Sequence, residues 1–364
     1  MTLGNWASGQ NKLDGSGLWF ANMETNESGR YACPSIIYIP QLSPTFTIIH
    51  KELKNGLHKL YNKEVKEVSQ LNSNGLCVGT SCQKDLSTYF KNEELSWLGN
   101  DGYIIRTVGN NVTIIIANTD LGALYGTYHY LRCLQTDNTH KANFDIVEIP
   151  SYQRRILNHW DNLDGTVERG YAGHSIWQWE DLPEKISPRY VEYAKANASI
   201  GINGTVLNNV NAKPDILKLE YLEKVKVLAN TFRPYGIKVY LSINFSSPSA
   251  LGGLANSDPL KEEVQNWWKE KVNEIYSLIH DFGGFLVKAN SEGLPGPQDF
   301  GRTHADGANM LADALKPHGG IVMWRAFVYN SNGNDRAKQA YDEFKPLDGK
   351  FRKNVILQVK NGPV

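Results

Sequence analysis

The chain has 364 residues, of which 41% are hydrophobic and 21% charged, the balance of a folded protein of about two domains and not of a disordered one. Lys plus Arg (38) equals Asp plus Glu (38), and this neutrality argues against a binder of nucleic acid or of anionic membranes, which needs a basic excess. No apolar run approaches the roughly 20 residues that cross a bilayer. The 9 Trp, 18 Tyr and 12 Phe suit sugar faces or bases, and equally the filling of cores.

The N-terminus, MTLGNWASGQ, has no basic segment followed by an apolar one. No secretory leader is read there, and a cytoplasmic location is expected. Cys33, Cys77, Cys82 and Cys133 form no CxxC pair; they read as buried thiols without zinc-site spacing. Ser35–Ile39 and Phe46–His50 read as strands. Asp101–Val108 and Val112–Ala117 are β-branched and aromatic runs around the turn Gly109-Asn110-Asn111, which predicts a hairpin. Thr119-Asp120 then caps a helix whose Leu121, Leu124, Tyr128, Leu131 and Leu134 share one face. Residues 1–145 are therefore expected to form a smaller α+β domain, and nothing in it looks catalytic.

From residue 150 the rhythm changes. Strands are predicted at Ile156–Trp160, Thr205–Asn208, Lys238–Asn244, Gly284–Ala289, Ile321–Phe327 and Val355–Lys360. Helices are predicted at Ser187–Asn197, Leu217–Arg233, Pro259–His280, His304–Leu315 and Asn334–Phe344. Continuous apolar strands alternating with amphipathic helices mean a parallel sheet covered by helices. No GxGxxG or GxxxxGK[ST] follows a strand, so the nucleotide-binding doubly wound sheets lose their main signal. Nearly every strand instead ends in polar or aromatic chemistry: His159-Trp160-Asp161, Asn208-Asn209, Asn244, Lys288, Trp324-Arg325 and Lys360-Asn361. That polarity is the mark of an α/β (β/α)8 TIM barrel, whose active residues lie at the C-terminal ends of its strands. Only six strands are read before the last residue, and the expectation is a barrel domain over 150–364 that is incomplete at its C-terminus.

Lys288, Arg325 and Lys360 end three consecutive strands. Three cations at one mouth repel one another unless an anion sits among them, so a substrate carboxylate or phosphate is implied, with Arg supplying a bidentate fork. Glu292, in the Gly/Pro loop NSEGLPGP, is the candidate general acid. The loop after the first strand carries Trp160, Trp177 and Trp179 beside Asp161, Asp164 and Glu168; its aromatics either line the mouth or collapse into a cluster over it. Aromatics, amides and carboxylates at a barrel mouth suggest sugar chemistry. Glycoside hydrolysis needs a second carboxylate, and only Asp161 and Asp164 offer themselves.

These stretches resemble a known family. RRILNHWDNLDGTVERGYAG (Arg154–Gly173), KANSEGLPGPQDFGRTHADGANMLADAL (Lys288–Leu315), VMWRAFVY and VILQVKNGP closely resemble successive strand segments of the family 67 α-glucuronidases, and the hairpin and helix at Asp101–Gln135 are similar to the end of that family's N-terminal domain. The resemblance implies a hexosaminidase-like accessory domain, a (β/α)8 barrel, and a helical C-terminal domain that makes the full-length form a homodimer. It implies inverting hydrolysis of the α-1,2 bond between (4-O-methyl)-glucuronic acid and the terminal xylose of glucuronoxylan-derived oligosaccharides, with no metal or organic cofactor. Carried over by motif, Glu292 matches the general acid, Lys288, Arg325 and Lys360 the uronate contacts, and Trp160 and Val210 the apolar walls; Asn208 and Asp161 join the substrate-binding set from their strand-end positions. The family's water-activating carboxylates follow a KNGP-type segment, where this chain ends, so the chain alone is expected to lack turnover. A hexosaminidase-like enzyme using substrate assistance would want an adjacent Asp-Glu pair, and Ser291-Glu292 does not supply one.

Overall fold

A computed structural model describes residues 34, 36–69, 74–136, 143–290, 293, 295–326 and 336–359. Two compact units share the chain. One comprises Met1–Arg155, Val191–Asn203 and Pro234–Gly236; the other comprises Ile156–Tyr190, Gly204–Arg233 and Ile237–Val364.

In the first unit the elements run β1 (Ile36–Tyr38), α1 (Pro44–Tyr61), β2 (Lys66–Glu67), β3 (Gly75–Thr80), α2 (Lys84–Ser87), α3 (Asn92–Trp97), β4 (Tyr103–Val108), β5 (Val112–Ala117), α4 (Asp120–Thr136) and β6 (Asp145–Glu148). The sheet order is β2-β1-β3-β5-β4-β6. The β1–β2, β1–β3 and β3–β5 pairs are parallel, whereas β4 pairs antiparallel with both β5 and β6. The hairpin is as the sequence predicts: Val108 faces Val112, and Asn111 takes the left-handed φ of 56° that a three-residue turn requires. Cys77, Ile104, Ile114 and Ile116 face a cluster with Leu86, Phe90, Leu95 and Leu98.

Phe46–His50 is helix, not strand. Its β-branched run Thr47-Ile48-Ile49 looks extended, but Ser43 accepts a hydrogen bond from the Phe46 N–H and Pro44 opens the first turn, both strong starts for a helix. Phe46, Ile49, Leu53, Leu57 and Leu60 are then buried along one face of α1, a 3.6-residue period that overrides local β propensity. Cys77, Cys82 and Cys133 form no disulfide, and of these expected buried thiols Cys77 is buried, Cys133 is half-buried and Cys82 is exposed; Cys33 lies outside the described residues. Part of Pro188–Ser199 also belongs to this unit: Lys195 pairs with the buried Glu52 at 2.9 Å, and Arg132 donates to the Ser199 carbonyl.

The second unit holds β7 (Ile156–Asn158), the start of α5 (Pro188–Ser199), β8 (Gly204–Val206), α6 (Leu219–Phe232), β9 (Lys238–Ile243), α7 (Ser247–Gly252), α8 (Glu262–Leu278), β10 (Gly284–Val287), α9 (His304–Leu315), β11 (Ile321–Arg325), α10 (Arg336–Phe344) and β12 (Val355–Gln358). Its six strands lie in the order β12-β11-β10-β9-β8-β7, and every pair is parallel. Strand beside next strand, with helical crossovers, is the topology of a (β/α) barrel; these six form a half-barrel. The side chains alternate. One row meets the helices: Phe285 packs on Trp268 of α8 and Trp324 on His304 of α9. The other row turns inward, where Val206, Tyr240, Leu286, Ile321 and Met323 join Val210, Ile156 and Trp160 in one apolar cluster.

Candidate active site

The inward row places the site. Two residues past Leu286 comes Lys288, and two past Met323 comes Arg325. Val287 pairs with Trp324, so the two cations stand level on adjoining strands, facing the same interior. Lys288 is buried, 3% exposed, and its ammonium donates to Asn211 Oδ1 at 2.5 Å. The Arg325 guanidinium lies 5.9 Å from the centroid of the Trp160 ring, within cation–π range. Trp160 and Val210 belong to the apolar cluster beneath. Four of the residues singled out from sequence, Trp160, Val210, Lys288 and Arg325, are therefore gathered at one end of the half-barrel. Glu292 and Lys360 lie outside the described residues.

Asp161 and Asn208 line a small cavity at the ends of β7 and β8, together with Asn162, Leu163, Asn209, Asn211, Ala212 and Lys213. Their polar atoms are already engaged in folding. Asp161 Oδ1 accepts from Ser175 Oγ at 2.6 Å and from the Ile176 N–H at 3.0 Å, and Oδ2 lies 3.3 Å from His159 Nδ1. These bonds close the loop after β7 on itself, helped by the Asp161–Val167 and Thr166–His174 bridges. The Asn208 amide donates to the Ser242 carbonyl and accepts from the Ser242 N–H, both at 2.9 Å, extending the β8–β9 pairing beyond its last backbone rung. Asp164 is exposed and caps its own turn: hydrogen bonds from the Thr166 hydroxyl and N–H hold its carboxyl below the usual range.

The loop tryptophans collapse inward. Trp177 and Trp179 are 1% and 3% exposed. Trp177 donates to the Leu207 carbonyl at 2.9 Å and packs on His159, Tyr190 and Phe232, which makes it core.

The segment from residue 295 to residue 302 is held in place by its own contacts. Arg302 grips Asp258 with two bonds of 3.0 Å. Asp299 accepts from the Gly296 N–H at 2.9 Å, and a side chain at Gly296 would come within 2.6 Å of the Asn290 backbone nitrogen. Gly307, at the start of α9, leaves only the room that Pro297, Trp324 and Phe245 do not fill. Trp324 Nε1 donates to His304 Nδ1, which leaves Nε2–H to face Glu343 at 3.4 Å. None of Asn211, Asp258, Arg302 or His304 was singled out from sequence as a site residue. The signal for Asn211 was present in the asparagine-rich run LNNVNAK that follows β8.

Cations over an apolar floor, flanked by amides and an aromatic face, can bind a sugar bearing an anionic group. Among the described residues no cluster of three His, Cys, Asp or Glu side chains could hold a metal ion. Solved structures show a likeness of fold. The structure of a GH20 exo β-N-acetylglucosaminidase from Vibrio harveyi matches with a TM-score of 0.53 at 11% identity, over 93% of this chain and 56% of its own. A GH138 enzyme targeting pectin rhamnogalacturonan II matches with a TM-score of 0.54 at 16% identity, over 89% and 38%. At such identities the likeness defines an architecture, that of two-domain barrel proteins.

Sequence comparison is more specific. The profile described as "Glycosyl hydrolase family 67 N-terminus" matches residues 18–130, and "Glycosyl hydrolase family 67 middle domain" matches residues 134–364. The chain belongs to glycosyl hydrolase family 67. It is 42% identical over 373 residues to the "Probable alpha-glucuronidase A" of Neosartorya fischeri, covering 98% of this chain and 43% of that protein. It is 47% identical over 277 residues to the "Alpha-glucuronidase A" of Emericella nidulans, covering 72% and 32%. The "Alpha-glucuronidase" of Hypocrea jecorina is 46% identical over 279 residues, 73% and 32%. The chain thus spans less than half the length of the curated relatives it matches.

Proposed function

We propose that this chain carries the glycone-binding part and the general acid of an α-glucuronidase that cleaves the α-1,2 bond between (4-O-methyl)-glucuronic acid and the terminal xylose of xylo-oligosaccharides, with inversion. The observation that carries the reading is the level pair Lys288 and Arg325, inward-facing above an apolar floor that includes Trp160 and Val210. A uronic acid has the matching chemistry. Its C6 carboxylate takes charge-assisted hydrogen bonds from ammonium and guanidinium, and its ring presents C–H faces to Trp160 and Val210. Lys360 would complete the cation set. Glu292 would donate a proton to the departing xylose oxygen while water attacks the anomeric carbon from the opposite face, and the water's proton passes to a second carboxylate. The partners are glucuronoxylan-derived oligosaccharides, and assembly through a further helical domain as a homodimer is part of the same reading.

The test uses a protein carrying this chain at the length of its relatives. Glu292→Ala should abolish release of glucuronic acid from aldotriouronic acid yet spare activated aryl glucuronides, whose leaving groups need little protonation. Equal loss on both substrates would count against the assignment. Arg325→Ala should lower kcat/KM on uronides by roughly 10–100-fold, the worth of a charged hydrogen bond.

A further inference from the structure

A chain of hydrogen bonds runs from the loop after β7, across the end of β8, to the ammonium at the end of β10. Within that first loop, Asn162 Nδ2 donates to Thr166 Oγ1 at 2.9 Å and to the Glu168 carbonyl at 2.8 Å. Asn209 is tied to it three times. Its N–H donates to the Asp161 carbonyl at 2.8 Å, and its amide nitrogen donates to Asn162 Oδ1 and to the Glu168 carbonyl, both at 3.0 Å. Asn209 Oδ1 then accepts the Asn211 N–H at 3.0 Å, fixing the turn that carries Asn211. Asn211 Oδ1 in turn accepts from Lys288 Nζ. Each link is held by the one before it, so the position of the Lys288 ammonium depends on a scaffold two strands away.

The chemistry of the last link is informative. A buried ammonium needs acceptors, and a carboxylate at position 211 would be the stronger one. The chain places an amide there instead. An amide oxygen orients the N–H bonds and brings no negative charge to the mouth, whereas an aspartate of the same shape would form an ion pair and repel an incoming anion. Among the described residues lining this cavity, the acid is Asp161, whose Oδ1 is engaged by Ser175 and Ile176.

We propose that Asn211, held by Asn209, is a positioning residue that orients the Lys288 ammonium through a neutral acceptor and so sets the preference of this site for a carboxylate-bearing sugar. The proposal rests on the reading that Lys288 meets the substrate carboxylate, and the experiment separates the two. Titrate sodium D-glucuronate into the unaltered chain and into Lys288→Ala, Asn211→Ala and Asn211→Asp, following binding by calorimetry at neutral pH, with the thermal unfolding midpoint of each protein recorded alongside. Lys288→Ala should weaken binding about tenfold or more. Asn211→Ala should weaken it several-fold. Asn211→Asp, the closer match in shape, should weaken it more than Asn211→Ala, with the unfolding midpoint little changed. Packing alone cannot produce that order, because the isostere would then be the milder change. If Lys288→Ala weakens binding and Asn211→Asp binds as well as or better than Asn211→Ala, the inference falls and the uronate reading stands. If the unaltered chain binds no glucuronate, or Lys288→Ala binds as well as it does, the reading falls and takes the inference with it. Should Asn211→Asp fail to fold, Asn211→Ala and Asn211→Ser decide: serine restores an acceptor and should recover part of the affinity lost in alanine, and equal affinities for the two would overturn the proposal.

Discussion

Asn208→Ala should cost stability first and ligand affinity second. β8 ends at Val206, and beyond it the Asn208 side chain supplies both halves of the next rung, donating to the Ser242 carbonyl and accepting its N–H. Ser242 is fully buried. Truncation to alanine leaves two backbone groups of Ser242 without these partners in a place water reaches poorly, at about 1–3 kcal/mol each. The Ser242 Oγ bond to the Asn208 carbonyl survives, so the expected loss is about 4 kcal/mol. With a urea slope of about 2–3 kcal/mol per molar for a unit of this size, the midpoint should fall by roughly 1.5 M. Tryptophan emission is a fit probe, since Trp160, Trp177, Trp179, Trp267, Trp268 and Trp324 all lie in the half-barrel unit. Asn208→Asp should fare little better, because its second oxygen would face the Ser242 carbonyl. An unchanged midpoint joined to a large loss of glucuronate binding would refute this reasoning and return Asn208 to the role of a direct substrate contact.

Three further outcomes are expected. Gly284→Ala should leave little soluble protein, because Gly284 sits at φ 131° and an added Cβ would lie 2.0 Å from the Ile321 carbonyl oxygen; a yield and unfolding midpoint like those of the unaltered chain would contradict it. Two hydrogen bonds from Arg302 hold the Asp258 carboxyl below its usual range. Its folded-state value is thus depressed, its stabilisation is whole above about pH 4, where the unfolded carboxyl ionises, and it fades as pH falls toward the folded value. Asp258→Asn should flatten that acid limb of the stability curve, and an unaltered pH profile would count against the pair. Trp177→Phe should keep most of the ring packing but orphan the buried Leu207 carbonyl, costing about 1–3 kcal/mol in chemical denaturation; a neutral result would mean that water satisfies the carbonyl.

The half-barrel was legible because its inner strands, β8 to β11, are buried almost throughout and so read as unbroken apolar runs, each followed by an amphipathic helix. His304–Leu315 begins and ends where its sequence pattern does, since Thr303 and Asp306 form a capping box that local sequence reveals. The first unit was harder. β3, Gly75–Thr80, is buried throughout, yet it carries two glycines and a cysteine and has no alternation to betray it. The run around Phe46 shows how a Ser-Pro start and a helical apolar period outweigh a few β-branched residues, a balance that a short window does not weigh.

At the site the division follows sequence distance. Lys288 and Arg325 could be placed together from sequence because a strand and its C-terminal end are local facts, and parallel neighbours bring such ends to one side. The roles of Asp161 and Asn208 depend on partners 14 and 34 positions away, Ser175 and Ser242, which only the folded register brings into reach. The hydrogen bonds at this end of the half-barrel show which of its polar side chains complete the fold. Asp161, Asn208 and Asn209 have their amides and carboxylate committed to the backbone or to neighbours. The two cations have contacts of another kind. Lys288 is given a neutral amide to lean on and Arg325 an aromatic face, and both contacts fix direction while adding no negative charge to the place where an anionic sugar would dock.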